Sequence, residues 1–281
     1  MSTIISLPTG TSDSGAQAGR SAHRKRLLLV SYHFPPVGGA GVQRPVKFVK
    51  YLRQFGWDVS VLMAANPSVP VFDNSLLVDI PEDTHLEKTR TWEPDYSLKK
   101  NIAVQKRTGQ STNLLAPMKS ACRKLIKSAA GLLLQPDAQI LWYPNALKAG
   151  KKLLNNLHHD AILATAPPYS NLILASKLKK IFNLPLVADF RDEWDLSSKY
   201  LENHQQDYLS HLIQTRLQKS VMKASDAIVA TTQASTERLL ERAHQFGTDA
   251  IGKCIYNGFD LDDFELLDEP NQRQLNSRER K

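Results

Sequence analysis

The chain contains no apolar run near the roughly 18 residues that a membrane-spanning helix needs. Its longest candidate, Ala129 to Leu134, is far too short. No basic start followed by an apolar core opens the sequence, so the N-terminus does not read as a secretory leader. There are only two cysteines, Cys122 and Cys254, far apart in sequence. That excludes a Cys-based metal-ligand spacing and a disulfide framework, and two reduced thiols in a cytoplasmic protein are expected. Cys/His fingers, a helix-turn-helix and an aromatic-studded RNA platform are missing too, so nucleic acid is not an expected partner.

What is there suits an ordinary globular core. Of 281 residues, 42% are hydrophobic and 23% charged, close to the averages for such domains. The formal net charge is +8, a balance that fits an anionic small substrate, an anionic membrane surface or nucleic acid. Basic residues recur as Arg44, Lys47, Lys50 and Arg53, and again as Arg123, Lys124 and Lys127. A solvated basic surface is the plain reading of both groups. For Lys119 to Lys127, with its Leu and Ile neighbours, peripheral contact with an anionic membrane at the inner face is the alternative.

Residues 1–23 are rich in Ser, Thr and Gly without apolar periodicity, as expected of a disordered tail. The short apolar run Leu27 to Val30 then predicts a strand buried on both faces. A helix fits Val42 to Phe55, with Val42, Val46, Val49 and Leu52 on one stripe and Gly56 at its C-terminal cap. Strands are expected at Asp58 to Met63, Leu86 to Trp92, Ala161 to Thr165, Pro185 to Asp189, Ala227 to Ala230 and Cys254 to Tyr256. Helices are expected at Asn145 to Leu157, Ser170 to Phe182, Gln205 to Ala224 and a segment capped by Ser235, with a partly amphipathic stretch from Leu114 to Leu134. Short apolar strands alternating with helices predict an α/β fold, a doubly wound, Rossmann-like parallel sheet. The ordered domain is expected over 24–264, followed by a polar tail at 265–281.

In such a sheet, ligands bind outside the carboxyl ends of the strands. Three segments should meet there. The loop His33 to Gly41 carries Gly38, Gly39 and Gly41 ahead of a helix whose free N–H groups suit an anion. It is neither a dinucleotide fingerprint nor a P-loop, because the G-x-G-x-x-G spacing and a following Gly-Lys-Ser/Thr are absent; a tight strand-to-helix connection explains it equally well. The second segment is Thr165-Ala166-Pro167-Pro168-Tyr169-Ser170, which also reads as a helix start with Ser170 as cap. The third, Asp189-Phe190-Arg191-Asp192-Glu193-Trp194-Asp195, gathers four carboxylates, an arginine and two aromatics at a strand end. Such a cluster binds a polar ligand, holds an arginine, or caps a helix.

The ordered set Phe34-Pro35-Pro36-x-Gly38-Gly39-x-Gly41, Gly56-Trp57-Asp58-Val59, Pro167 to Ser170, Pro185 to Trp194, Ser225 to Thr232 and Ile255 to Asp260 resembles family-four glycosyltransferases. The resemblance covers roughly residues 26–264 and implies the N-terminal, acceptor-side half of a GT-B fold, in which two Rossmann domains face each other across a cleft. It implies transfer with retained configuration from a nucleotide-sugar donor, used as substrate without cofactor or metal, to a polysaccharide or lipid-linked glycan acceptor. Gly38, Gly39 and Gly41 match the family's loop toward the donor diphosphate. Where many members place a histidine, this sequence has Asp189-Phe190-Arg191-Asp192, as one subset does. Asp192 and Arg191 are the implied catalytic pair, and His33, Asp189, Tyr169 and Trp194 the implied acceptor contacts. After Phe264 only a charged tail follows, so a separate C-terminal donor-binding chain is an expected partner and the chain alone is expected to be slow or inactive. A degenerate Rossmann module that binds a glycan or a partner protein is the alternative.

Overall fold

The computed structural model describes residues 24–97, 133–194 and 208–265. The expected tails (Glu265 apart), the basic segment around Lys119 to Lys127, Cys122 and Asp195 lie outside the described residues. The sheet is seven-stranded and all parallel, in the order β3-β2-β1-β4-β5-β6-β7. Its strands are β1 (Lys25–Val30), β2 (Trp57–Ala64), β3 (His85–Thr89), β4 (Ala161–Ala166), β5 (Leu186–Phe190), β6 (Ala227–Ala230) and β7 (Ile251–Cys254). The helices are α1 (Ala40–Leu52), α2 (Tyr143–Asn156), α3 (Ser170–Phe182), α4 (Tyr208–Ala224), α5 (Gln233–Gln245) and the single turn α6 (Asp262–Glu265).

The central strands read as unbroken apolar runs because both of their faces are covered; in β4 every residue is buried. Alternate residues of β1 feed two cores. Leu28 and Val30 pack with α2, α3, α4 and α5, while Leu27 and Leu29 pack with Val46 and Val49 of α1. Sequence punctuation sets the helix ends. The backbone at Gly56 (φ 80°) and Asn183 (φ 53°) is left-handed, which stops the first turn-and-helix unit and α3.

Several boundaries differ from expectation. Thr232, not Ser235, caps α5: its side chain accepts from the Ser235 N–H at 3.1 Å. The last strand ends at Cys254, and Ile255 and Tyr256 lie beyond it, exposed. The third strand ends at Thr89, so Trp92 stands exposed outside it. Ser170 is the first residue of α3, not its cap, and the preceding Tyr169 makes no side-chain cap bond.

Candidate functional site

The strand order reverses between β1 and β4, which opens a crevice at their carboxyl ends. Three loops border it: Ser31 to Gly39 after β1, Pro167 to Tyr169 after β4, and Arg191 to Trp194 after β5.

Arg191 joins the first turn of α1 to the ends of β4 and β5. Its guanidinium donates to the carbonyls of Gly41 and Pro167, and Nε reaches the Ala166 carbonyl at 3.4 Å. One of those acceptors is free for a reason written in the sequence. Pro45 lies inside α1 and has no N–H, so the Gly41 carbonyl four residues earlier loses its helical donor. Arg191 supplies it. Burial pushes the Arg191 guanidinium below its usual range, partly offset by Asp189 and Asp192.

Asp189 sits at the floor with no exposure and takes a two-pronged ion pair from Arg44. Arg44 Nε lies 3.1 Å from both carboxylate oxygens and Nη2 2.8 Å from Oδ1, while Thr165 Oγ1 donates to Oδ2 at 2.8 Å. A carboxylate buried this deeply persists only when its acceptor positions are filled. The remaining arm of Arg44 donates to the Ile255 carbonyl at 2.8 Å, so one side chain links α1, β5 and the segment leaving β7.

Two helix N-termini converge on the crevice, and they are treated differently. At α3, Asp137 Oδ2 accepts from the Tyr169 N–H at 2.6 Å and the Ser170 N–H at 3.2 Å, and Oδ1 accepts from the Ser170 hydroxyl. Burial is the main influence on Asp137 and raises its carboxyl to about 6, against those hydrogen bonds. At α1 the cap is Gly39, no side chain caps the turn, and no acid lies in the first turn. The anion position at α3 is thus filled from within, whereas that at α1 is open.

The three loop glycines differ in the same way. A Cβ on Gly38 would meet Val71 Cγ1 at 2.9 Å, and one on Gly41 would meet Arg191 Nη1 at 2.7 Å. Gly39 has φ +103° and open space around it, so it is the glycine whose backbone a ligand can approach.

The other expected residues divide between wall and surface. Tyr169 and Trp194 are buried and stacked with centroids 4.5 Å apart; the Tyr169 hydroxyl donates to the Asp192 carbonyl at 3.1 Å, and Trp194 Nε1 donates to Gln214. Asp192 itself is exposed. His33 is half-buried and packs edge-on against Tyr32, whose hydroxyl donates to the buried Glu93. Glu193 turns away and pairs with Arg238 and Ser235 of α5.

The expected solvated stripe on α1 is corrected. Lys47 contacts Asp79, Asp260 and Asp263, Lys50 contacts Asp79, Asp260 and Asp262, and Arg53 pairs with Asp83. The triad Asp79, Asp260 and Asp263 has the spacing of a cation site, and the Lys47 ammonium fills that role. Burial favours the neutral form of Asp260, but hydrogen bonds from Lys47, Lys50 and Tyr51 outweigh it and hold the carboxyl well below the usual range.

Arg44, Pro45 and Asp137 were not singled out from sequence as site residues. For Arg44 a signal existed: α1 carries basic residues and no acid, so its partners had to come from elsewhere in the fold.

No family model matches the chain, and no match was found among curated proteins. Several solved structures are similar. UGT2 of Phytolacca americana, solved with UDP-2fluoro-glucose and pterostilbene, is 13% identical with a TM-score of 0.45, covering 89% of this chain and 58% of that one. HepE of Anabaena, solved with UDP and glucose, is 17% identical with a TM-score of 0.43, covering 85% and 46%. Sucrose-phosphate synthase of Thermosynechococcus elongatus is 13% identical with a TM-score of 0.44, covering 89% and 99%. The chain spans about half the length of the first two. At these values the likeness carries no inference about activity. Among the described residues, no helix is long and apolar enough to cross a membrane.

Proposed function

We propose that this chain is the acceptor-side Rossmann domain of a retaining glycosyltransferase of family four, with a nucleotide sugar as donor and a polysaccharide or lipid-linked glycan as acceptor. The observation that carries the reading is the open α1 N-terminus behind Gly39, set at the switch point. A diphosphate leaving group accumulates negative charge as the sugar departs. Unpaired N–H groups and the positive end of a helix stabilise that charge without metal. Asp192, exposed at the rim and anchored through its carbonyl by Tyr169, is the carboxylate in this reading that meets the acceptor or the transferred sugar. Arg191 positions it, since its own donors are spent on carbonyls of Gly41 in α1, Ala166 at the end of β4 and Pro167. The membrane-proximal acceptor and a separate donor-binding chain belong to the same proposal.

One observation favours a second reading, a non-catalytic Rossmann module that binds a glycan or protein. Asp189 and Arg191 are both engaged by internal partners, which leaves Asp192 as the exposed charge of that trio. Sugar transfer separates the two. The chain would be assayed alone and mixed with a candidate C-terminal half, over a panel of nucleotide sugars and membrane-extracted acceptors. Transfer in the mixture, reduced at least about 100-fold by Asp192→Ala, is the expected result. Transfer unaffected by that substitution removes Asp192 from the chemistry, and none with well-folded protein across the panel favours the binding module.

A further inference from the structure

The segment that leaves β7 turns back along α1 and is built inside out. Its apolar residues face solvent, with Tyr256 68%, Phe259 77%, Leu261 70% and Phe264 57% exposed, while its buried residue is an acid, Asp260, at 8%. None of those four apolar side chains joins a core cluster of the described residues. Phe259 and Phe264 meet edge-on within the segment itself.

Charge and hydrogen bonds hold the segment on α1. Arg44 fixes its root, with Nη1 donating to the Ile255 carbonyl at 2.8 Å and to Asn257 Oδ1 at 3.2 Å. Beyond Gly258 the grip passes to Asp260. Lys47 and Lys50 donate to its Oδ2 at 2.7 and 2.8 Å, and the Tyr51 hydroxyl to Oδ1 at 2.6 Å. The outer pairs, Lys47–Asp263 and Lys50–Asp262, end on exposed carboxylates, and exposed pairs contribute little. Lifting the segment therefore exposes little new apolar surface, because its apolar side chains already face water. Nor does it strand the lysines, since Asp79 stays in contact with both. Segments with so few buried apolar contacts open at the low end of a protein's stability range. At Gly258 nothing lies within 4 Å of the missing Cβ, so a pivot there is unobstructed.

We propose that residues 258–265 form a releasable strap, latched onto α1 by Asp260 and free to lift about Gly258 while Arg44 keeps its root in place. With the strap down, Lys47 and Lys50 face Asp79, Asp260, Asp262 and Asp263; with it up they share Asp79. The outer face of α1 thereby changes from net acidic to net basic. The root is tied by the guanidinium that also holds Asp189, so the floor of the crevice keeps its ion pair in both positions. The strap does not depend on the glycosyltransferase reading.

The test measures backbone NMR order parameters on the full chain at about 0.1 M and about 1 M sodium chloride, between which the screening length falls from about 10 to about 3 Å. At the lower salt the strap amides should lie near about 0.85, the value of rigid backbone. At the higher salt they should fall by at least about 0.1, and Asp260→Asn should take them below about 0.6 at either salt while β1 and β4 stay rigid. The paired substitutions Phe259→Ser and Phe264→Ser should leave the strap ordered at the lower salt, because those rings do not hold it down. Four outcomes would each overturn the proposal: strap amides indifferent to salt, strap amides indifferent to Asp260→Asn, a loss of order in that variant that spreads to β1 and β4, or a loss in the phenylalanine pair as large as that from Asp260→Asn.

Discussion

The N-termini of α1 and α3 reach the same crevice with the same backbone chemistry, yet only one is left open. At α3 the carboxylate of Asp137 occupies the place an anionic ligand would take. At α1 the cap is a glycine with nothing near its missing side chain, and no acid stands in the first turn. A helix terminus is therefore a ligand site only where the protein has not already satisfied it from within. The helix α1 is tied to the sheet from outside its own turn, by the Arg44–Asp189 ion pair and by the bond from Arg191 to the Gly41 carbonyl.

The largest effect tests that anchoring. Asp189→Ala leaves the Arg44 guanidinium buried and uncompensated, with an expected loss of about 3–5 kcal/mol in chemical denaturation. A loss below about 1 kcal/mol would mean that water replaces the carboxylate and that α1 is not held by this pair.

The α3 side is tested by pH. The Asp137 carboxyl lies above its ordinary 3.8, at about 6, so the folded state holds that proton more tightly than the unfolded chain. The resulting stability is fully present below about pH 4 and is lost as pH rises through about 6, on the order of 3 kcal/mol. Asp137→Asn should flatten this slope between pH 4 and 6; an unchanged slope would assign it to other groups. Asp260 works in the opposite sense. Its depressed carboxyl contributes stability above the ordinary carboxylate range, and that stability fades as pH falls below about 4.

Arg191→Ala should cost about 2 kcal/mol, because the carbonyls of Gly41 and Pro167 lose a charged donor. Adding Pro45→Ala returns an N–H to the Gly41 carbonyl and should recover about 1 kcal/mol of that loss, read as coupling in a double-mutant cycle. Strictly additive effects would show that Pro45 and Arg191 do not share this acceptor. The smallest effect is at Gly39. Replacing it by Ala at φ +103° should cost about 1 kcal/mol, while binding of a nucleoside diphosphate, followed by calorimetry, should weaken more than stability does. Unchanged diphosphate binding would close the comparison against α1 as the anion site.

Much of this architecture was legible in the residues. The apolar runs of β1, β4 and β6 and the stripe of Val42, Val46 and Val49 report burial directly, because side-chain period and burial are locally linked. The first turn-and-helix unit ends at Gly56, as the glycine signal indicates. The end of β7 was misplaced because Ile255 and Tyr256 are apolar but exposed, and apolarity alone does not say whether anything covers a residue. At the site, the glycine loop, the Pro-Pro turn and the acidic strand end could be assigned to one edge of the sheet. The partners of their charges could not. Arg44 reaches across 145 positions to Asp189, Arg191 across 150 to Gly41, and Asp137 across 33 to Ser170.

The sequence by itself determined the alternation of strands and helices, and therefore a parallel α/β sheet whose strand-end loops gather along one edge. That information is local, since hydrophobic period and turn residues act over a few positions. Tertiary structure alone decided which charges at that edge are spent and which are open. It buried Asp189 against Arg44, filled the α3 terminus with Asp137, set Lys47 and Lys50 among four aspartates, and left the α1 terminus and Asp192 facing solvent. Whether a charge is available depends on what the fold brings within a few ångströms of it, and that distance is not encoded in residue spacing.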